Sequence, residues 1–83
     1  MSNIFEFRLP DLSEKTSEVI LVALSKKEGE RIEKDETIVE VMTDKASLEI
    51  ASPVAGIIKK NLRKEGDIIF CGEILALIIQ EEK

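Results

Sequence analysis

Apolar and polar residues alternate along this chain in short bursts, and no apolar run exceeds six residues (Val19 to Leu24). Ile4 to Arg8 reads as a first strand, with Glu6 and Arg8 set against Phe7. Pro10 to Ser17 is a polar connection. Glu18 to Leu24 reads as a strand buried on both faces for part of its length, and Lys26 to Glu30 as a turn centred on Gly29. Glu36 to Thr43 and Ala46 to Ala51 read as two strands separated by Asp44-Lys45. Beyond a turn at Pro53 to Gly56 come a strand at Ile57 to Leu62 and a turn at Glu65 to Asp67. A short strand at Ile68 to Phe70 and a last one at Glu73 to Ile79 complete the chain. Twelve Ile and five Val, with only three Phe, suit the pleated surface of strands. No stretch holds a 3.6-residue period for ten residues, so the pattern predicts an all-β domain of short strands between turns.

The pattern also repeats at an offset of 37. Lys27-Glu28-Gly29-Glu30 returns as Lys64-Glu65-Gly66-Asp67, Ile32 as Ile69, Glu36 as Glu73, Ile38 as Leu75 and Val41 as Ile78. Two turns could share their chemistry by chance, but the match continues into the flanking strands, where Ile20-Leu21 pairs with Ile57-Ile58. Two similar halves related by a pseudo-two-fold axis are therefore expected, each giving one sheet of a sandwich. Adding the offset to Lys45 lands at Glu82, next to the last residue. The Asp44-Lys45 tip and the two chain ends are thus expected at opposite ends of the molecule.

With Asp44 and Lys45 as loop residues, Thr43 faces Ala46, Val41 faces Leu48 and Val39 faces Ile50, so one face of the hairpin is apolar. The other pairs Met42 with Ser47 and Glu40 with Glu49, and should be solvated. The Asp44 side chain can hydrogen-bond its own backbone and favour the turn. Lys45 then stands exposed on a tight turn. Such a lysine is either simply solvated or displayed to a modifying enzyme, and geometry alone does not choose.

Composition narrows the chemistry. Eighty-three residues is room for one small domain. A formal net charge of −5 argues against nucleic-acid binding, which needs clustered positive charge. No segment approaches the roughly 20 apolar residues of a membrane-spanning helix. The N-terminal residues do not read as a secretory or transit signal. With no His, neither a Ser-His-Asp nor a Cys-His arrangement can form, and one Cys without His makes a metal site unexpected. The lone Cys71 fits a reducing compartment. It is expected to be a small, partly buried residue in the second half, away from Lys45.

The segment Val41-Met42-Thr43-Asp44-Lys45-Ala46-Ser47-Leu48-Glu49-Ile50 closely resembles the hairpin of lipoyl domains. In that family an Asp-Lys-Ala tip carries lipoic acid in amide linkage. The resemblance extends over nearly the whole chain through Leu9-Pro10-Asp11-Leu12, Lys27-Glu28-Gly29, Ser52-Pro53-Val54-Ala55-Gly56, Lys64-Glu65-Gly66-Asp67 and Gly72-Glu73-Ile74-Leu75. It is strongest to the N-terminal lipoyl domains of dihydrolipoamide acyltransferases of 2-oxo acid dehydrogenase complexes. It implies a flattened barrel, or sandwich, of two antiparallel sheets with pseudo-two-fold symmetry. Residues 1–83 would be a single lipoyl domain at the front of a longer acyltransferase chain. Lys45, flanked by Asp44 and Ala46, would be the N6-lipoyllysine.

By the same resemblance the isolated domain is a carrier and no enzyme, with its chemistry in the cofactor. Its partners would be a thiamine-dependent 2-oxo acid decarboxylase, the acyltransferase core and dihydrolipoyl dehydrogenase. A lipoate ligase or a lipoyl/octanoyl transferase would load it. The isolated domain would be monomeric, in the bacterial cytoplasm or, in a eukaryote, the mitochondrial matrix. The chain departs from the family at Glu30 (often Asp), at Met42 (often Glu) and at Ser13-Glu14-Lys15-Thr16-Ser17, where Gly-Glu-Gly is common. That loop helps choose the decarboxylase, so the 2-oxo acid stays open. Met42 is either an apolar contact for a partner or a neutral surface substitution.

Other readings differ at specific residues. A biotinyl carrier typically has Ala-Met-Lys-Met at its tip, whereas Asp44 and Ala46 flank Lys45 here. The glycine-cleavage carrier is longer, with extra helices. An unmodified acidic interaction module remains from a different class.

Overall fold

The computed structural model describes residues 3–10 and 18–81, and all its regular structure is strand. In chain order the strands are β1 (Asn3–Arg8), β2 (Glu18–Leu24), β3 (Arg31–Ile32), β4 (Thr37–Met42), β5 (Ser47–Ala51), β6 (Gly56–Asn61), β7 (Ile68–Phe70) and β8 (Ile74–Gln80). They form two antiparallel four-stranded sheets, ordered β1-β8-β6-β3 and β5-β4-β2-β7. The expected all-β sandwich with two related halves is therefore present. Seven strands fall within a residue or so of the expected positions. The eighth, β3, has two residues, too short for a period to show. Most of the connection expected at Pro10 to Ser17, with the Ser13–Ser17 departure, lies outside the described residues.

The offset of 37 reappears in the hydrogen bonds. Leu21 N–H donates to the Asp67 carbonyl at 2.9 Å, and its mate Ile58 N–H to that of Glu30 at 2.9 Å. Gly66 N–H donates to Leu21 O and Gly29 N–H to Ile58 O, both at 2.7 Å. In each KEG turn the last acidic side chain reaches back to the first N–H, Glu30 to Lys27 at 2.7 Å and Asp67 to Lys64 at 2.9 Å. The glycines of these turns have φ of 91° and 95°. Even the register shifts correspond, at Leu21/Ala23 in β2 and Ile58/Lys60 in β6.

One expectation fails. Each half does not make its own sheet. Strand β7 of the second half pairs with β2, and β3 of the first half pairs with β6. β1 lies beside β8 as β5 lies beside β4. The KEG turn of each half grips a central strand of the other, and this carries the short strand after it across to the opposite sheet. Sequence symmetry specifies equivalent strands but does not say which sheet an edge strand joins.

The core lies between the sheets. Leu9, Leu21, Ile32, Val39, Val41, Ile58, Ile69, Leu75 and Ile78 are among its fully buried side chains. Their compact branched volumes fill the narrow space between two closely facing sheets. Gly56 opens β6 tight against β8. A Cβ there would lie 2.1 Å from the Ile79 carbonyl oxygen.

β2 is not buried on both faces. Val19 and Leu21 point inward, whereas Ile20 and Val22 are exposed. The register makes Ile20 a neighbour of Met42 on one side and Ile68 on the other, all on the outer face. The run is continuously apolar because its outer face is apolar too.

Candidate functional site

The β4–β5 hairpin has the expected register: Val39 opposite Ile50, Glu40 opposite Glu49, Val41 opposite Leu48 and Met42 opposite Ser47. Val39, Val41 and Ile50 anchor it in the core, and Lys45 stands exposed at its tip. Thr43 N–H closes the loop on the Ala46 carbonyl at 2.9 Å. The acceptor for the N–H groups of both Lys45 and Ala46 is Thr43 Oγ1, each at 3.1 Å, and this hydroxyl lies 3.2 Å from the Ala46 carbonyl. The Thr43 hydroxyl thus fixes the turn from the position just before Asp44. Thr43 is 8% exposed, so the group that shapes the turn is itself held by packing. The backbone of Lys45 is fixed while its side chain projects outward.

β5 runs away from the tip into Ser52, Pro53, Val54 and Ala55, and Glu81 N–H donates to the Ala55 carbonyl at 2.9 Å. Asn3 pairs with Gln80 at the same end. The described chain ends therefore lie beyond the far end of the hairpin, as expected, leaving the tip clear.

Two features of the site were not legible in the sequence. One is a shallow hollow of about 270 Å³ beginning at the tip, lined by Thr43 and Asp44 and by Ile20, Met42 and Ile68. Strict alternation within β2 would have pointed to it, since Val19 and Leu21 inward place Ile20 outward. The other is Cys71, expected to be partly buried and away from the tip. It is exposed, and Phe70 before it lies opposite Glu18, at the end of the sheet that carries the hairpin. Exchange of β7 into the tip sheet brings it there.

No group of three or more His, Cys, Asp or Glu that could hold a metal ion occurs among the described residues. No helix is long and apolar enough to cross a membrane among them. The hairpin offers one amine, anchored through its strands in the core and held away from the described ends of the chain. That arrangement is suited to a covalent carrier module, in which the protein presents a reactive group attached to it.

The family is a definite one. A biotin/lipoyl model, described as "Biotin-requiring enzyme", matches residues 5–78, and the chain belongs to this family as a lipoyl-type domain. It is 36% identical over 80 residues to the dihydrolipoyllysine-residue succinyltransferase component of the 2-oxoglutarate dehydrogenase complex of Buchnera aphidicola, covering 96% of this chain and 20% of that one. It is 39% identical over 74 residues to the dihydrolipoyllysine-residue acetyltransferase component of the pyruvate dehydrogenase complex of Staphylococcus aureus, covering 89% and 17%. The chain thus spans about a fifth of these relatives.

Among solved structures, the lipoyl domain of the 2-oxoglutarate dehydrogenase complex from Azotobacter vinelandii superimposes with a TM-score of 0.71 at 30% identity, covering 88% of this chain and 92% of that one. Kluyveromyces lactis urea carboxylase shares the fold alone, with a TM-score of 0.77 at 16% identity over 93% of this chain and 6% of that one. Lipoyl domains carry lipoic acid covalently on a lysine. The local structure accommodates such an arm, because Lys45 is exposed and the hollow beside it is mostly apolar.

Proposed function

We propose that Lys45 is the residue that takes lipoate in N6-amide linkage. The domain then carries acyl groups and reducing equivalents among the active sites of a 2-oxo acid dehydrogenase complex. The observation that carries this reading is the exposed lysine between Asp44 and Ala46 at the tip of a core-anchored hairpin. Bound lipoate would supply a dithiolane whose S–S bond opens as an acyl group is taken up; handing that group on would leave a dithiol, and the S–S bond would re-form only when dihydrolipoyl dehydrogenase removed two electrons and two protons.

The protein's own part is to hold the Lys45 backbone rigid and keep its side chain clear of the core. It also offers partners a shaped surface around the tip. On this reading the domain catalyses none of the steps. It is the N-terminal segment of an acyltransferase component, and its partners are a thiamine-dependent decarboxylase, the acyltransferase core and dihydrolipoyl dehydrogenase. A lipoate ligase or a lipoyl/octanoyl transferase loads it, in the bacterial cytoplasm or the mitochondrial matrix. A flexible linker after the domain would raise the arm's local concentration at each site.

Co-expression with lipoate and its ligase, followed by intact-mass measurement, tests the assignment. One lipoyl addition is expected, abolished by Lys45→Arg, and an adduct that survives in that variant overturns it. A biotin-mass adduct would move the domain to the biotinyl branch. Amide formation removes one of the 12 basic charges, taking the net from −5 to −6, so a charge-sensitive gel gives an early readout.

A further inference from the structure

The pseudo-two-fold axis supplies an internal control for the outer faces of the two sheets. Ile20 and Met42 on the tip sheet correspond to Ile57 and Ile79 on the other, so exposed apolar residues at those two positions belong to the fold. The neighbours differ. Ile68, Phe70 and Val22 of the tip sheet correspond to Arg31, Glu33 and Lys59. These equivalent positions accept charge, and Arg31 and Glu33 there pair with each other at 2.6 Å. On the tip sheet they are apolar and open to solvent, Ile68 at 57% and Phe70 at 49%.

From Met42 through Ile20 to Ile68 the side chains form one row across three strands. At ordinary strand spacing the row is about 10 Å long. It begins at the hollow bordered by Asp44, next to Lys45. A lysine side chain extended by a lipoyl group has about a dozen bonds and reaches on the order of 14 Å. Its methylenes and dithiolane are apolar, and its origin, length and chemistry match the row.

Resting on the lipoyl reading of Lys45, we propose that Met42, Ile20 and Ile68 form a seat on which this chain's own arm packs between visits to its partners. The apolar outer face shelters the arm from water without enclosing it. Because the hollow is shallow, the arm leaves easily when a partner offers a deeper channel. Met42, which left two readings open in the sequence, is then part of the seat.

Methyl NMR of the loaded and unloaded chain tests the seat. On loading, the Met42 ε-methyl and the Ile20 and Ile68 δ-methyl signals should shift and cross-relax with arm methylenes. Ile57 and Ile79, their counterparts in the fold, should not. An Ile20→Thr/Ile68→Thr variant keeps β-compatible residues at exposed positions. In it the cross-peaks should vanish, and a bulky water-soluble phosphine should reduce the dithiolane about fourfold faster, the factor for roughly one methylene uncovered. Shifts confined to residues 43–47 in a fully loaded sample overturn the seat and leave the lipoyl assignment standing. Concentration-dependent shifts of the same methyls in unloaded chain would make the face a self-association surface, and also overturn it. No mass addition at Lys45 removes both readings together.

Discussion

At Lys45 the exposed amine depends on a buried neighbour for its geometry. Thr43 Oγ1 accepts from two successive turn N–H groups, and packing holds that hydroxyl in place. Thr43→Val keeps the shape and removes the acceptor, leaving two N–H groups to water or to strained partners. The expected outcome is a loss of about 1–2 kcal/mol in local stability, seen as faster amide exchange at Lys45 and Ala46. Lipoylation should also slow, with Thr43→Ser restoring both; unchanged exchange at these two amides would count against the role. By contrast Lys45→Met touches nothing buried, and its melting curve should overlay that of the parent. Gly56 is the opposite kind of residue, remote from function but intolerant of change. A Cβ 2.1 Å from a strand carbonyl cannot be relieved by turning a side chain, because the obstacle is backbone. Gly56→Ala should cost about 1–3 kcal/mol or more, read as a lower urea midpoint.

At the scale of elements, each KEG turn is tied to the other half by the same carboxylate bond, and the same ion pair braces the loop within its own half, which lets one argument serve twice. Glu28 Oε2 accepts from Asn61 N–H at 2.9 Å, and Glu65 Oε2 from Leu24 N–H at 3.3 Å. Lys26 pairs with Glu36 at 3.0 Å, and its mate Arg63 pairs with Glu73. The Glu36 carboxylate accepts from Glu33 N–H and faces Lys26, and both hold it below the usual carboxylate range. Glu73 is lowered in the same way, first by the Phe70 N–H and then by Arg63. A carboxylate lowered in the folded chain adds stability above its unfolded value, near 4.5, and that stability is lost as pH falls through the folded value. The urea midpoint should therefore drop below about pH 4.5, and Glu36→Gln with Glu73→Gln should flatten that drop at a cost at neutral pH; an unaltered acid slope in the double variant would refute the assignment. Much at this scale was legible beforehand. β2 and β7 fall at their expected bounds, and the hairpin register follows from placing Val39, Val41 and Ile50 on one buried face. Two things were not. β3 is too short to carry a period, and an apolar outer face makes β2 look buried on both sides when only one face meets the core.

At the scale of the molecule, the exchange of short strands between sheets decides how the domain folds. Ile32 of β3 and Ile69 of β7 correspond through the repeat, and both are fully buried, yet each lies on an edge strand paired with a strand of the other half. Neither half can complete a sheet by itself. The first would lack the edge strand β7 and the whole pair β6 and β8, and the second would lack β1 and β3. The offset of 37 misleads here, because it makes the halves look like separable units. The bonds between Leu21 and Asp67 and between Ile58 and Glu30 are what lock them together. A domain of this size has little stability to spare, so losing half of the interlock leaves too small a core. Two peptides, residues 1–53 and 54–83, should each lack a cooperative thermal transition by circular dichroism. Mixed at high concentration they should regain strand signal and a single transition whose midpoint rises with concentration, because association now replaces the covalent link. Cooperative melting of 1–53 alone would mean that the hairpin bearing Lys45 stands without its exchanged strands.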